Sequence, residues 1–210
     1  MYAYTTTAAE CIGITFTGAS SNSIGFQVYN GCPGSVGTTC IGNGGGATNG
    51  TLSGTVTLPM AGTYYIVVDN QATPNFVNYN ISIASFGAGV SNDLPCNAIP
   101  LTAGVMYTGS NTCSGSSGEP AAPSCWAPGG NVRHTVWFSV IAPASGRVRV
   151  RVIPSSLTNP QAAFYSGTCG ASMTILSCNN DTTSCGTTTN YSADLNVSGL
   201  TPGNTYYVAV

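Results

Sequence analysis

The sequence predicts an all-β protein: tandem antiparallel β-sandwich domains of jelly-roll or Ig-like type, stapled by disulfides. Three observations carry this. β-Branched and aromatic residues fall in short runs broken by Gly, Pro and Asn every ten or so residues, the spacing of strands and turns. Charged residues make up 5% of the 210 residues, against roughly 25% in an average soluble domain. Gly, Ser, Thr, Asn and Pro stand in their place. Nine cysteines accompany a single histidine, with no C-x-x-C pair, which points to disulfides in an oxidising compartment rather than to zinc.

The charge pattern excludes several classes. The net charge is -2, so the broad basic footprint of a nucleic-acid binder is absent. No apolar run reaches the roughly 18 residues of a membrane span. The opening "MYAYTTTAAE" has neither a basic n-region nor an apolar h-region and does not read as a signal peptide. An extracellular composition without an export signal leads us to expect an internal piece of a longer exported chain, or its mature form.

The chain repeats itself. "FQVYNGC" (26–32) is matched by "AFYSGTC" (163–169), and "AGTYYIVV" (61–68) by "PGNTYYVAV" (202–210). Cys32 to Cys169 is an offset of 137 and Tyr65 to Tyr207 one of 142. The period is therefore about 140 residues, with a small insertion between the marks. Two sandwich repeats are expected, 1–90 and 91–210, joined through "GAGVSND" (87–93). The first is expected to lack its beginning, because nothing before Cys11 matches residues 92–146. The second is expected to lack its last strand, the counterpart of "VNYNISIASFG" (77–87), unless neighbouring chains supply it.

Strands are expected at 12–17, 24–29, 53–59, 63–69 and 77–84 in the first repeat. In the second they are expected at 104–108, 134–141, 146–153, 161–165, 173–177, 191–197 and 204–210. "GNGGGATNG" (42–50) reads as a loop, since glycine weakens a strand interior. Residues 111–131 are too rich in Gly, Pro and Ser for a strand, and a bridge from Cys113 or Cys96 to Cys125 would pin them. Cys32–Cys40 and Cys169–Cys178 are the expected short-loop pairs, because each closes a strand and its return and each recurs. Cys11 and Cys185 are left open, and the odd count leaves one cysteine unpaired within this stretch.

Three of the four cations, Arg147, Arg149 and Arg151, stand in "RVRVRV" (147–152). Carried across the repeat from Gly167 to Gly31, this stretch falls on Cys11 to Phe16. Strand side chains alternate faces. Val148, Val150 and Val152 match Ile12, Ile14 and Phe16, an apolar core face. The arginines match Cys11, Gly13 and Thr15, so the other face keeps no common chemistry. One reading is a solvated face or an edge strand guarded by charge. The sharper one is an anion-binding stripe for sulfated or acidic glycan, or for acidic residues of a neighbouring subunit.

"NDLPCNAIPL" (92–101), "VWFSVIAPASGRVRV" (136–150), "FYSGTCGASMTILSCNND" (164–181) and "LTPGNTYYVAV" (200–210), in that order, resemble the pre-peptidase C-terminal (PPC-like) β-sandwich modules of secreted and cell-surface proteins, notably of Bacteroidota-type bacteria. The likeness covers most of 92–210 and extends more weakly to 11–87. It implies a jelly-roll-like sandwich and an extracellular, non-catalytic role in adhesin stalks or beside secreted hydrolases. His134 stands where that family carries an acidic residue before the "VWF" strand, which argues against calcium there. "LTPGNTYYVAV" is also similar to a fibronectin type III strand, which keeps an Ig-like topology open.

Catalytic chemistry finds few materials. His134 is the one candidate base, no G-x-S-x-G elbow exists, and the six carboxylates (Glu10, Asp69, Asp93, Glu119, Asp181 and Asp194) are scattered. No enzyme activity is expected. No cofactor is expected except calcium, for which Asp181 with Asn179 and Asn180, and Asp69 with Asn70, are the candidate oxygen ligands. Asn and Asp are also ordinary turn residues. N-x-[ST] sequons mark Asn49, Asn80, Asn180, Asn190 and Asn196, and Asp181-Thr182-Thr183 resembles the O-glycosylation site of Bacteroidota secreted proteins. Trp137 reads as core. Trp126, beside Cys125, reads as packed on a disulfide or as an exposed contact.

A surface with so little charge has little repulsion to keep molecules apart. The expected role is a structural or adhesive segment of an extracellular or cell-surface protein, forming a stalk or filament through self-association or neighbouring repeat domains. The alternative is an accessory module of a secreted hydrolase that binds glycan or a surface protein. Neither nucleic acid nor a membrane span enters either reading.

Overall fold

A computed structural model describes residues 1–70, 76–115, 118–126, 134–155, 157, 159–180 and 192–210. The chain is all-β and divides into two compact units, Met1–Gly89 and Val90–Val210. The first holds β1 (Tyr2–Thr6), β2 (Glu10–Thr17), β3 (Ile24–Tyr29), β4 (Cys40–Gly45), β5 (Leu52–Leu58), β6 (Gly62–Asn70) and β7 (Asn80–Ser85). The second holds β8 (Ile99–Pro100), β9 (Trp137–Ile141), β10 (Val148–Val152), β11 (Ala162–Ser166), β12 (Thr174–Asn179), β13 (Ala193–Val197) and β14 (Thr205–Ala209), with a 3-10 turn at Pro95–Asn97.

In the first unit a four-stranded sheet, β1-β6-β3-β4, faces a three-stranded one, β5-β2-β7. The period-two pattern decides which residues meet. Ile12, Ile14 and Phe16 of β2, Phe26 and Val28 of β3, Leu52, Val56 and Leu58 of β5, and Tyr64 and Ile66 of β6 form one buried core. Burying each such large apolar side chain contributes about 1.5–3 kcal/mol. Cys11 is buried and disulfide-bonded.

The second unit repeats this plan in order and register. Its larger sheet, β12-β11-β14-β9-β8, contains β9-β14-β11-β12 in the places of β1-β6-β3-β4, and β10-β13 stands for β2-β5. Ile12 pairs with Val56 and Phe16 with Leu52, as Val148 pairs with Val197 and Val152 with Ala193. Val28 pairs with Ile66 and Tyr29 with Tyr65, as Phe164 pairs with Val208 and Tyr165 with Tyr207. Even the bulge recurs, between Val28 and Tyr29 and between Phe164 and Tyr165. One face of the larger sheet, with Ala162, Phe164, Tyr206 and Val208, packs with Leu195 and Val197 of β13. The other face, with Trp137, Ala163, Tyr165 and Ala209, is covered by Ala98, Met173 and Trp126.

The register corrects four expectations. Residues before Cys11 do have a counterpart: Tyr2 pairs with Ile66 and Tyr4 with Tyr64, as Phe138 pairs with Val208 and Val140 with Tyr206. So β1 stands for β9. Residues 42–45 are strand, not loop. A Cβ at Gly42 would lie 2.7 Å from Val56, and one at Gly44 2.6 Å from Phe26, so glycine there admits core side chains close to the backbone. Residues 104–108 form no strand. Gly104 turns the chain at φ +79°, and Val105, Met106 and Tyr107 are exposed.

The fourth correction concerns sulfur. Cys169 bonds Cys96 and Cys178 bonds Cys125, with Cα atoms 5.0 and 6.2 Å apart, inside the range a bridge requires. Cys32 and Cys40 are exposed free thiols. Cys40 lies opposite Tyr29, the place Ile175 takes opposite Tyr165, whereas Cys178 lies opposite Ala163. The two short cysteine spacings therefore fall on different strand positions and are not repeats of one staple. Cys125 still pins the 111–126 segment, through Cys178 rather than Cys96 or Cys113. Cys113 is also disulfide-bonded, and Cys185 lies outside the described residues.

Candidate functional site

β10 concentrates the charge. Val148, Val150 and Val152 turn half-buried toward the core while Arg147, Arg149 and Arg151 are exposed. On the adjacent β13, Asn196 faces Arg149 and Asp194 faces Arg151. Asp194 reaches diagonally to Arg149, whose Nε donates to both carboxylate oxygens at 3.0 and 3.2 Å and whose Nη2 also donates to Oδ2. This fork-like pairing holds the Asp194 carboxyl below its usual range, through the Arg149 hydrogen bonds first and the positive charges of Arg149 and Arg151 in addition, against the opposing effect of burial. The same contacts raise Arg149. Asn196 adds a side-chain N–H to Asp194 at 3.4 Å, and the Asp194 amide donates to the Asn179 side chain at 3.2 Å.

Arg147, Val148 and Arg149, with Asn196, Val197 and Ser198, line an open groove of about 470 Å³. Two guanidinium groups, those of Arg147 and Arg151, have no carboxylate partner among the described residues. The site can therefore receive negative charge along one face. Asp194 belongs to this site, although in the sequence it is one of six scattered acids. Only the β10–β13 pairing sets residue 194 beside the arginines, and no signal in the sequence carries that pairing.

The remaining candidates each have local contacts, where described. Asp69 is exposed and its Oδ1 accepts the Asn70 amide at 2.8 Å. Asn180 lies in the other unit and accepts from Gln161 at 3.1 Å. Asp181, Thr182 and Asn190 lie outside the described residues. Among the described residues, no three His, Cys, Asp or Glu side chains gather in a metal-binding set. Of the sequon residues, Asn49, Asn80 and Asn196 are exposed. His134 Nδ1 lies 2.8 Å from the Ser114 carbonyl, a loop-pinning contact. Trp137 is buried and donates to Glu119 at 2.8 Å. Trp126 is half-buried and donates to the Ala162 carbonyl at 3.3 Å.

No protein-family model matches the chain, and no curated protein is similar to it in sequence. No helix of the described residues is long and apolar enough to cross a membrane.

Proposed function

We propose that this chain is a repeat segment of a non-catalytic extracellular protein, structural or adhesive in role, that contributes to a stalk or filament at or beyond the cell surface. The observation that carries this reading is the shared register of the two units. Two units of like plan, bulge included, are what an array of repeats is built from. Disulfide bonding of Cys96–Cys169 and Cys125–Cys178 fits an oxidising compartment. A charge content of 5% leaves little repulsion between neighbouring molecules.

The groove beside Arg147 and Arg149 favours a second reading, an accessory glycan- or protein-binding module of a secreted hydrolase. Negative-stain imaging of the native material, with the full-length reading frame, separates the two. Fibres or stalks built from further units of about 140 residues support the first. A catalytic domain in the same frame, with discrete particles, overturns it in favour of the second.

A further inference from the structure

The chain holds three Asn-Gly dipeptides, at 30–31, 43–44 and 49–50. Such a pair can cyclise. Glycine has no Cβ to shield its amide nitrogen or to restrict the backbone, so that nitrogen can reach the side-chain carbonyl carbon of the asparagine before it. The fold sets the three pairs apart.

Asn30 is held at both ends: its Oδ1 accepts the Thr39 amide at 2.7 Å, and its own amide donates to the Thr39 carbonyl at 3.2 Å. Asn43 lies inside β4 opposite Gln27, with Gly42 and Gly44 paired to Val28 and Phe26. A Cβ on Gly44 would lie 2.6 Å from the Phe26 ring, so the backbone there packs against a core side chain. Freeing it means parting β3 from β4.

Asn49 is placed differently. It is exposed at the tip of a two-residue turn, with φ +51° and Gly50 following at φ +73°, the left-handed pair that a type I′ hairpin needs. That region is unfavourable for a residue with a Cβ. Two hydrogen bonds close the turn, the Thr48 amide to the Thr51 carbonyl at 2.8 Å and the Thr51 amide to the Thr48 carbonyl at 3.0 Å, and this bridge lies outside the strands. The Gly50 carbonyl accepts the Ala19 amide at 2.9 Å, which anchors that residue without engaging its nitrogen. Among the described residues, nothing accepts from the Gly50 amide or pairs with the Asn49 carboxamide. A turn with so few bonds opens locally at low free energy.

We propose that Asn49 is a self-modifying site, where the folded chain loses ammonia, closes a cyclic imide with Gly50 and ends as isoaspartate or aspartate. The turn opens and Asn49 rotates out of the left-handed region. The Gly50 nitrogen gives its proton to hydroxide and bonds to Asn49 Cγ, while the Cγ–Nδ2 bond breaks and ammonia leaves with a proton from water. Water then opens the imide, at Cγ to give aspartate or at the main-chain carbonyl to give isoaspartate. Nothing is oxidised or reduced. Isoaspartate lengthens the backbone of a loop of only two residues, so Thr48 and Thr51 can no longer pair as before. Either product adds a carboxylate to a unit whose charged side chains, Glu10 and Asp69, are both acidic. The change accumulates with age and goes beyond the stalk reading, since it needs no partner.

The test ages the whole folded 210-residue chain in mildly alkaline buffer and follows each Asn-Gly pair by peptide mapping, with isoaspartate told from aspartate by enzymatic carboxyl methylation. Residue 49 should convert about tenfold faster than residues 30 and 43, whereas in denaturant all three should convert at similar rates. Asn49→Gly keeps a turn-compatible residue and should abolish the early acidic species. Asn49→Asp supplies the charge without the longer backbone and should keep the slow hydrogen exchange of the Thr51 amide, which the isoaspartate form should lose. Conversion of Asn30 or Asn43 as fast as Asn49 in the folded chain would overturn the proposal. So would a folded chain that stays unmodified at residue 49 while the denatured chain reacts to completion.

Discussion

The ring of Phe26 occupies the space that a side chain at Gly54 would need: a Cβ there would lie 2.8 Å from Phe26 Cζ. The second unit inverts this pair. By register, Ala162 stands for Phe26 and Leu195 for Gly54, and both are buried. One sandwich sets the large residue on β3, the other on β13, and the facing residue is small in each case. Cores reward conserved volume. Gly54→Leu alone should overpack the first unit and cost about 1–3 kcal/mol, and Phe26→Ala alone about 3–5 kcal/mol. The double variant, which imports the other unit's pair, should cost less than the sum of the two. Guanidinium unfolding of the three variants measures this coupling, and simple additivity would refute it.

Tyr64 and Tyr206 close equivalent turns. The Tyr64 hydroxyl donates to the Met60 carbonyl at 2.9 Å, and the Tyr206 hydroxyl accepts the Thr201 amide at 2.9 Å. Both rings are buried, so each joins core to turn in the manner of a tyrosine corner. Tyr206→Phe leaves the Thr201 amide unpaired and should cost about 1–3 kcal/mol. Faster hydrogen exchange at Thr201, with β10 and β13 unaffected, would locate the loss.

Thiol chemistry separates the cysteines. Without reductant, iodoacetamide should label Cys32 and Cys40, which are exposed and free, and spare Cys96, Cys125, Cys169 and Cys178. Peptide mapping should recover the 96–169 and 125–178 links. Converting both Cys125 and Cys178 to Ser should cost about 2–4 kcal/mol by freeing a loop closed over a separation of 53 residues. Recovery of a 32–40 link from the native protein would contradict this assignment.

Asp194 should make the second unit acid-sensitive. Its native pKa is lowered, mainly by hydrogen bonds from Arg149, so it binds protons less readily folded than unfolded. The contribution is complete above the unfolded value of about 4 and drains away as the pH falls through the lowered native value. Asp194→Asn should therefore flatten the stability curve below about pH 4, with the two curves converging at the acid end. Glu10 is lowered too, by hydrogen bonds from Ser85 first and Thr6 next, so Ser85→Ala should reduce acid sensitivity in the first unit. Thermal melts across pH would read both, and parallel curves for wild type and Asp194→Asn would count against the ion pair.

Where side-chain alternation is strong, the strands were legible. β2, β3 and β10 show apolar rows that no helical period could produce. β1 escaped because Tyr2, Ala3, Tyr4 and Thr5 share no identity with Phe138, Ser139, Val140 and Ile141; their equivalence exists only as a hydrogen-bond register. β4 escaped because its glycines serve tertiary contact with Phe26 and Val56, which overrides local propensity. The disulfides were not legible because nearness in sequence does not set nearness in space: Cys96 and Cys169 meet across a separation of 73 residues. The arginine row was legible as a strand face, but its partner Asp194 needed the β10–β13 pairing.

The two ladders hold to one spacing until β4 and β12, where equivalent residues lie 135 apart (Gly42 and Ser177), and then step to 141 at β5 and β13 (Val56 and Val197). The natural length difference is thus confined mainly to a single crossing between the layers. In the first unit that connection is anchored, since Ala47 is buried in the core and its amide donates to the Asn22 carbonyl at 2.9 Å, so a peptide inserted between β4 and β5 would displace core contacts and lower stability.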